Sequence, residues 1–507
     1  MKNFAVLVMI LAAGLCLSAG QAKWTLMFYM TAAPDIEDEM VNNLTELASV
    51  DESSDMNVIV EADWVKTDPC SDKKYYVPDP YDTGTSRYRV SENSVKLIKH
   101  LGEQNMGDVN VLSDFLTYCK TNYPADKYIL FICGHGSGWE SYSDLELPLA
   151  AGKEVPVVTK TSNTVPVETL DSRAVSYDDL EADSITIPEL KAAIEKFNKA
   201  IGRKMNMVVF DSCLLENIET LYELKDVVTL MIGSEAGVLT KGVQYTSFLL
   251  PIKDDPNVAW LTLCDEYCHA YVGGGSFYQT LVNMFGGTVS STFIANPKTI
   301  VSNLNRLVEE LMKVKGQMSI YSLTGFGEVV RYYDVEQFCL QLVNGNINFK
   351  NAPNYGTIKE IAGQILDNFK SVRATLWTVG KYNRLGLGGL GIWWPEKDRY
   401  QLYREQLKNL SFGKDCLWDE FLDWFVLGTV RHSVRDKVKD LGEINNRIRY
   451  NIFGYAGDSL DQDLNAREQV VAELKILLPH LEPAIRAEIA AKIKDQEGYE
   501  EISKLLE

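Results

Sequence analysis

Apolar runs of strand length recur through the first half of the chain, and each stops on polar residues. Residues 24–30, 56–62, 128–133, 205–210 and 227–232 are such runs, rich in β-branched and aromatic types. Between them, apolar positions recur three and four apart. Ile36, Met40, Leu44 and Leu47 form one such face, Leu112, Phe115, Leu116 and Cys119 a second, and Leu190, Ala193, Ile194 and Phe197 a third. Each predicts a helix with one buried side. Thr186 and Glu189 stand at the head of the third with the spacing of a capping box, hydroxyl and carboxylate each able to take an orphan amide. Strand, helix, strand in succession demands parallel neighbours with right-handed crossovers, so the expected class is α/β with a doubly wound, mostly parallel sheet.

Two stretches break the pattern. Residues 65–87 are polar and carry Pro69, Pro78 and Pro80, which predicts an excursion from the sheet. Residues 140–183 mix Pro, Ser, Thr and acids without periodicity, the signature of an exposed spacer. Helices are expected over 214–224, 256–270 and 297–315, with extended segments over 279–285 and 288–295. Beyond 300 helical patterns dominate, interrupted by the apolar run 390–395, and the last 75 or so residues read as amphipathic helices. The expected organisation is a catalytic domain over 23–295, a helical accessory region over 296–430 and C-terminal helices over 431–507.

Composition narrows the class. A chain of 507 residues exceeds one average domain of roughly 100–200 residues. Its net charge of −20 repels phosphate-rich partners, so neither nucleic acid nor an anionic membrane surface is expected, while basic peptides are attracted. Residues 1–22 combine Lys2, an apolar stretch and small residues ending at Ala22, which reads as a signal peptide. Bulky Leu15 before Cys16 argues against lipid attachment there, and no later run is long enough to span a membrane. An exported monomer is expected. Of the eight cysteines beyond the signal, most sit inside apolar patterns and are expected as buried free thiols. Cys264, Cys268 and His269 have no second ligand pair nearby, so a helix face is expected there and no metal site.

The chemistry lies at two strand ends. The run 128–133 leads into His135-Gly136, and the run 205–210 into Asp211-Ser212-Cys213. In a parallel sheet the carboxyl ends of neighbouring strands face one crevice, so these groups can meet although 78 residues separate them. Cysteine becomes a strong nucleophile only as the thiolate, and an imidazole or a helix N-terminus beside it favours that form. Cys213 is expected as nucleophile, at a turn from strand into helix, and His135 as base and then acid toward the leaving amine. The backbone N–H groups of Gly136 and Cys213 are the natural oxyanion donors.

The order of motifs, an apolar block with His-Gly followed by an apolar block with Asp-x-Cys, resembles the caspase-like clan of cysteine peptidases. Residues 24–32 (WTLMFYMTA), 105–108 (NMGD), 135–139 (HGSGW), 177–179 (YDD) and 211–213 (DSC) resemble the clostripain family in particular. That resemblance implies a caspase-like αβα sandwich, a His135 and Cys213 dyad, cleavage after Arg or Lys, and self-cleavage in the spacer, where Lys153, Lys160 and Arg173 are candidate sites. It also implies that Asp211 floors the pocket for the basic residue, with Glu235 as a second acid, against the plainer reading of Asp211 as a helix cap. Gly134 stands where family members commonly carry an acid, and Lys241 lies where an acid would help hold a basic side chain. No cofactor is required by this chemistry; calcium, which activates some relatives, is a candidate ion for which no cage stands out. Two rival readings share the fold: a silent peptide-binding or partner-binding protein, and a transpeptidase or amidase using the same dyad.

Overall fold

The computed structural model describes residues 22–31, 33, 36–50, 53–64, 83–91, 93–141, 173–178, 180–238, 243–273, 287–293, 297–314, 325–326, 331–345, 352–379, 385–426, scattered positions over 438–478, 483–493 and 499–506. Of the expected signal segment 1–22, residues 1–21 lie outside the described residues and Ala22 opens the first strand. Strand β1 (Ala22–Thr31) is buried almost throughout; helix α1 (Glu37–Ala48) then crosses to β2 (Met56–Asp63), which runs parallel to β1 from Trp24 opposite Met56 to Thr31 opposite Asp63. This is the unit the periodicity predicts. An antiparallel hairpin of β3 (Thr85–Ser91) and β4 (Ser94–Gly102) extends the sheet past β2. The expected polar excursion thus ends inside a strand, and the charges that hid it are used: Arg87 is buried on β3 and pairs with Glu61 at 2.5 Å and Asp114 at 3.1 Å.

Helix α2 (Val109–Asn122), capped by Asp108, delivers the chain to β5 (Ala125–Cys133) on the other side of β1. There β6 (Gly136–Ser141), β7 (Arg173–Asp178) and β8 (Asp183–Ile185) form a small antiparallel sheet. Of the expected spacer, residues 142–172 lie outside the described residues, with Lys153 and Lys160 among them; the flanking parts are strand, and Arg173 opens β7 opposite Ser141. Helix α3 (Ile187–Ile201) carries both halves of the predicted capping box. It leads to β9 (Met205–Asp211), parallel to β5.

Next come helix α4 (Ile218–Leu224), β10 (Val228–Gly233), α5 (Tyr245–Asp254), α6 (Trp260–Gly273) and β11 (Gly287–Phe293). The expected segment 279–285 is outside the described residues. Strands β12 (Gly325–Phe326), β13 (Tyr332–Asp334), β14 (Arg373–Val379) and β15 (Gly391–Trp393) follow, with helices Val335–Asn344 and Tyr355–Val372 between β13 and β14. The main sheet has nine strands in the order β14-β11-β10-β9-β5-β1-β2-β3-β4, parallel at its centre and antiparallel at both margins, while β12, β13 and β15 form a third sheet. Strand β14 comes from the region expected to be a separate helical accessory, yet it completes the main sheet. Alternation within the strands sends Tyr29, Leu130, Ile132 and Phe210 into one core with α2, α3 and the later helices. Phe28, Phe131, Met207 and Val209 enter the other core with α1, α5 and α6. The result is an αβα sandwich.

Candidate active site

Strands β5 and β9 are central, parallel and adjacent, with Cys133 opposite Asp211. His135 and Cys213 each lie two residues further on, so they occupy equivalent places past the ends of neighbouring strands. Parallel strands are about 4.8 Å apart. The turns are tied together: Gly134 N–H donates to Asp211 O at 3.3 Å, and the Ser212 hydroxyl approaches Ile132 O at 3.5 Å. A side chain at Gly136 would meet Ser212 Cβ at 2.9 Å and Cys213 O at 3.1 Å, so glycine is what lets the backbone after the histidine close on the cysteine turn. His135 is half-buried. Of the seven described cysteines six are buried, and Cys213 is the partly exposed one.

The cysteine turn is held from both sides. Leu214 N–H donates to Ala236 O at 3.0 Å and Glu216 N–H to Ser234 O at 3.1 Å, while Gly391 N–H of β15 donates to Glu216 O at 3.0 Å. Leu214 adopts φ +63°, an uncommon conformation for a branched residue, of the kind that clusters at functional turns. Val238 N–H donates to Cys213 Sγ at 3.1 Å. Sequence reasoning missed this donor, because nothing in the residue types of an irregular loop tells where its amides point. The expected helix N-terminus needs correcting: α4 begins at Ile218, capped by Asn217, whose Oδ1 accepts from Thr220 N–H at 2.8 Å. Cys213 precedes it by five residues, beyond the reach of a helix-end field that fades within a turn.

Asp211 lies on the opposite sheet face from Phe210 and is about 9% exposed. The Tyr245 hydroxyl donates to its Oδ2 at 2.6 Å and also lies 3.3 Å from Cys133 Sγ. Burial pushes the Asp211 carboxyl up, and the bonds from Tyr245 and from the Val243 backbone pull against that. Asp211 does not cap α4; Asn217 does. Glu235, expected as a second acid of the pocket, is 1% exposed, and its Oε1 accepts from Gly389 N–H at 3.1 Å and Thr288 Oγ1 at 3.2 Å. Its carboxyl is buried and braces the β10 loop against Thr288 of β11 and the Gly389 backbone. Lys241 is outside the described residues.

The His135 strand continues into a buried ionic network. Glu140 on β6 accepts from Arg399 Nε at 2.5 Å and lies 3.7 Å from Arg331 Nε; the Tyr332 hydroxyl, 3.4 Å from Glu140, takes Trp139 N–H at 3.3 Å. Among the described residues no group of three or more His, Cys, Asp or Glu side chains converges as a metal site, and no helix is long and apolar enough to cross a membrane.

An αβα sandwich that presents a histidine and a cysteine side by side at the carboxyl edge of its sheet is the framework of a caspase-like fold. The family model described as the clostripain family matches residues 28–152 and 162–425, and the chain belongs to that family. It is 32% identical over 139 residues to clostripain of Hathewaya histolytica, a match that covers 25% of this chain and only about a quarter, 26%, of that relative's length. Among solved structures, a secreted C11 cysteine protease of Bacteroides thetaiotaomicron, iotapain, shares the fold with a TM-score of 0.54 at 15% identity, over 78% of this chain and 99% of that one. An inactive zymogen C11 protease of Parabacteroides distasonis gives a TM-score of 0.52 at 15% identity, over 78% of this chain and 98% of that one.

Proposed function

We propose that the protein is an exported cysteine endopeptidase in which Cys213 attacks the scissile carbonyl and His135 carries the proton from the thiol to the leaving amine. The observation that supports this best is the equivalent placement of the two residues past Cys133 and Asp211, with Gly136 closed against Cys213. In this reading the sulfur bonds to the carbonyl carbon while the backbone N–H groups of Gly136 and Cys213 receive the oxyanion. The amine leaves with the proton from His135. Water, deprotonated by the same imidazole, then cleaves the thioester.

Asp211 is assigned to the pocket for a P1 Arg or Lys, a reading supported by its position two residues before Cys213, with its Oδ2 accepting the Tyr245 hydroxyl. Self-cleavage within 140–183 is assigned to activation, consistent with basic residues at 153, 160 and 173. The inactive zymogen C11 protease of Parabacteroides distasonis, which shares this fold, supports a latent form here too. Cys213→Ala and His135→Ala variants test the dyad: hydrolysis of an arginine reporter peptide should vanish in the first and fall by at least about a hundredfold in the second. Full activity in Cys213→Ala contradicts the proposal.

A further inference from the structure

Behind the cysteine turn lies a cluster of buried carboxyls that the dyad does not use. Glu235, on the loop after β10, and Asp334, at the end of β13, are both essentially unexposed. Gly389 N–H is shared between Glu235 Oε1 and Asp334 Oδ2, 3.1 Å from each, which brings the two carboxyls side by side. Gly389 has φ +86°, and a side chain there would meet Ser290 Cβ at 2.7 Å, so only glycine brings this amide between them. Two carboxylates so placed in a dry interior cannot both ionise. Asp334 also accepts Gln337 N–H at 2.6 Å and Gly388 N–H at 2.7 Å, which favour its charged form, whereas Glu235 Oε2 finds no N–H or O–H donor. The shared proton therefore sits on Glu235, and burial holds it there.

The loop that carries Glu235 is the one that grips the nucleophile. Its Ser234 and Ala236 carbonyls receive Glu216 and Leu214 N–H, and its Val238 N–H points at Cys213 Sγ. We propose that Glu235 and Asp334 are positioning residues: their carboxyl-to-carboxyl bridge fixes the 234–238 loop so that Val238 N–H meets the sulfur and stabilises the thiolate. This rests on Cys213 being the nucleophile. An N–H donor to an anionic sulfur favours the charged form, and a loosened loop forfeits it.

Other ionisable groups face the pair. From helix 335–344 come Glu336, paired with Arg373 of β14 at 2.5 Å, and the buried Cys339. Glu216, on the cysteine turn, is bound to Thr292 at 2.6 Å. Arg373 is tied to Glu336, so no cation among these is bonded to the pair itself. Loss of the shared proton at high pH leaves two like charges together and drives the loop off the turn.

The test measures alkylation of Cys213 by iodoacetamide against pH, with peptide mapping, together with kcat and KM on a basic reporter peptide. In Glu235→Gln the amide supplies a permanent donor to Asp334, so alkylation and kcat should stay near wild type at neutral pH and lose the alkaline decline expected of wild type. In Glu235→Ala the loop is unpinned; alkylation at neutral pH and kcat should both drop about tenfold with KM nearly unchanged. Superimposable pH profiles for wild type and Glu235→Gln, or unchanged alkylation in folded Glu235→Ala, overturn the proposal. Cys213→Ala is the separate control: activity surviving there overturns the nucleophile assignment, whatever the Glu235 variants do.

Discussion

Buried acids dominate the chemistry at the scale of single residues. Burial raises the Glu219 carboxyl to about 8, against the pull of the Trp393 N–H it accepts, and Asp63 to about 7, against the Thr85 hydroxyl. Below the ordinary carboxyl range both the folded and unfolded chains carry these protons. As pH rises past about 4, the unfolded chain ionises and the fold does not, so stability falls, until about 7 for Asp63 and about 8 for Glu219. The urea midpoint is therefore expected to decline between about pH 5 and pH 8, and Glu219→Gln should flatten part of that decline; a midpoint that rises over this range contradicts the assignment. Asp211 gives a second residue-scale expectation. Asp211→Asn should lower kcat/KM for arginine and lysine reporter peptides on the order of a hundredfold while leaving a norleucine reporter nearly unchanged. Equal losses on all three would make Asp211 a structural residue.

Elements differ in how plainly their sequence announces them. Helix α3 is fully legible, because Thr186, Pro188, Glu189 and Gly202 each state one end of it and the apolar positions state its buried face. Thr186→Ala should cost about 1 kcal/mol of stability, read from the denaturation midpoint. The central strands are legible for the same reason that they are central: buried on both faces, they carry continuous apolar runs. The margins are not. Strand β3 carries Arg87, whose charge is satisfied by Glu61 on β2 and Asp114 on α2, partners distant in sequence. Strand β8 is three residues long, and β6 has lost its partner from the local sequence, since β7 lies beyond the spacer. Helix α4 starts four residues later than its apolar pattern suggests, because Leu214 turns left-handed to meet the β10 loop. A tertiary contact decides that, and no local preference reveals it.

Across the whole molecule, strand order brings the site together and the later chain locks it. The placement of His135 and Cys213 past the ends of neighbouring strands was legible because a parallel sheet puts strand ends in one crevice; the direction of Glu235 and the donor from Val238 were not, because loop groups aim by contacts made after folding. The region after 296 contributes β14 to the main sheet, Asp334 to the carboxyl pair, and Arg331 and Arg399 to Glu140 behind the His135 strand. Gln406 bonds Ser141 both ways, accepting its N–H at 3.1 Å and donating to its carbonyl at 2.6 Å, just where the spacer leaves β6. A nick after Lys153 or Lys160 should thus leave two chains that elute together under native conditions and separate in denaturant, and the nick should be missing from Cys213→Ala; native dissociation, or equal nicking in the variant, contradicts this. The most direct test of the central claim is titration with a thiol alkylator, followed by peptide mapping, in wild type and His135→Ala. The account predicts that modification of Cys213 alone abolishes hydrolysis, and that His135→Ala slows that modification at neutral pH. Hydrolysis that persists after Cys213 is fully alkylated would contradict it.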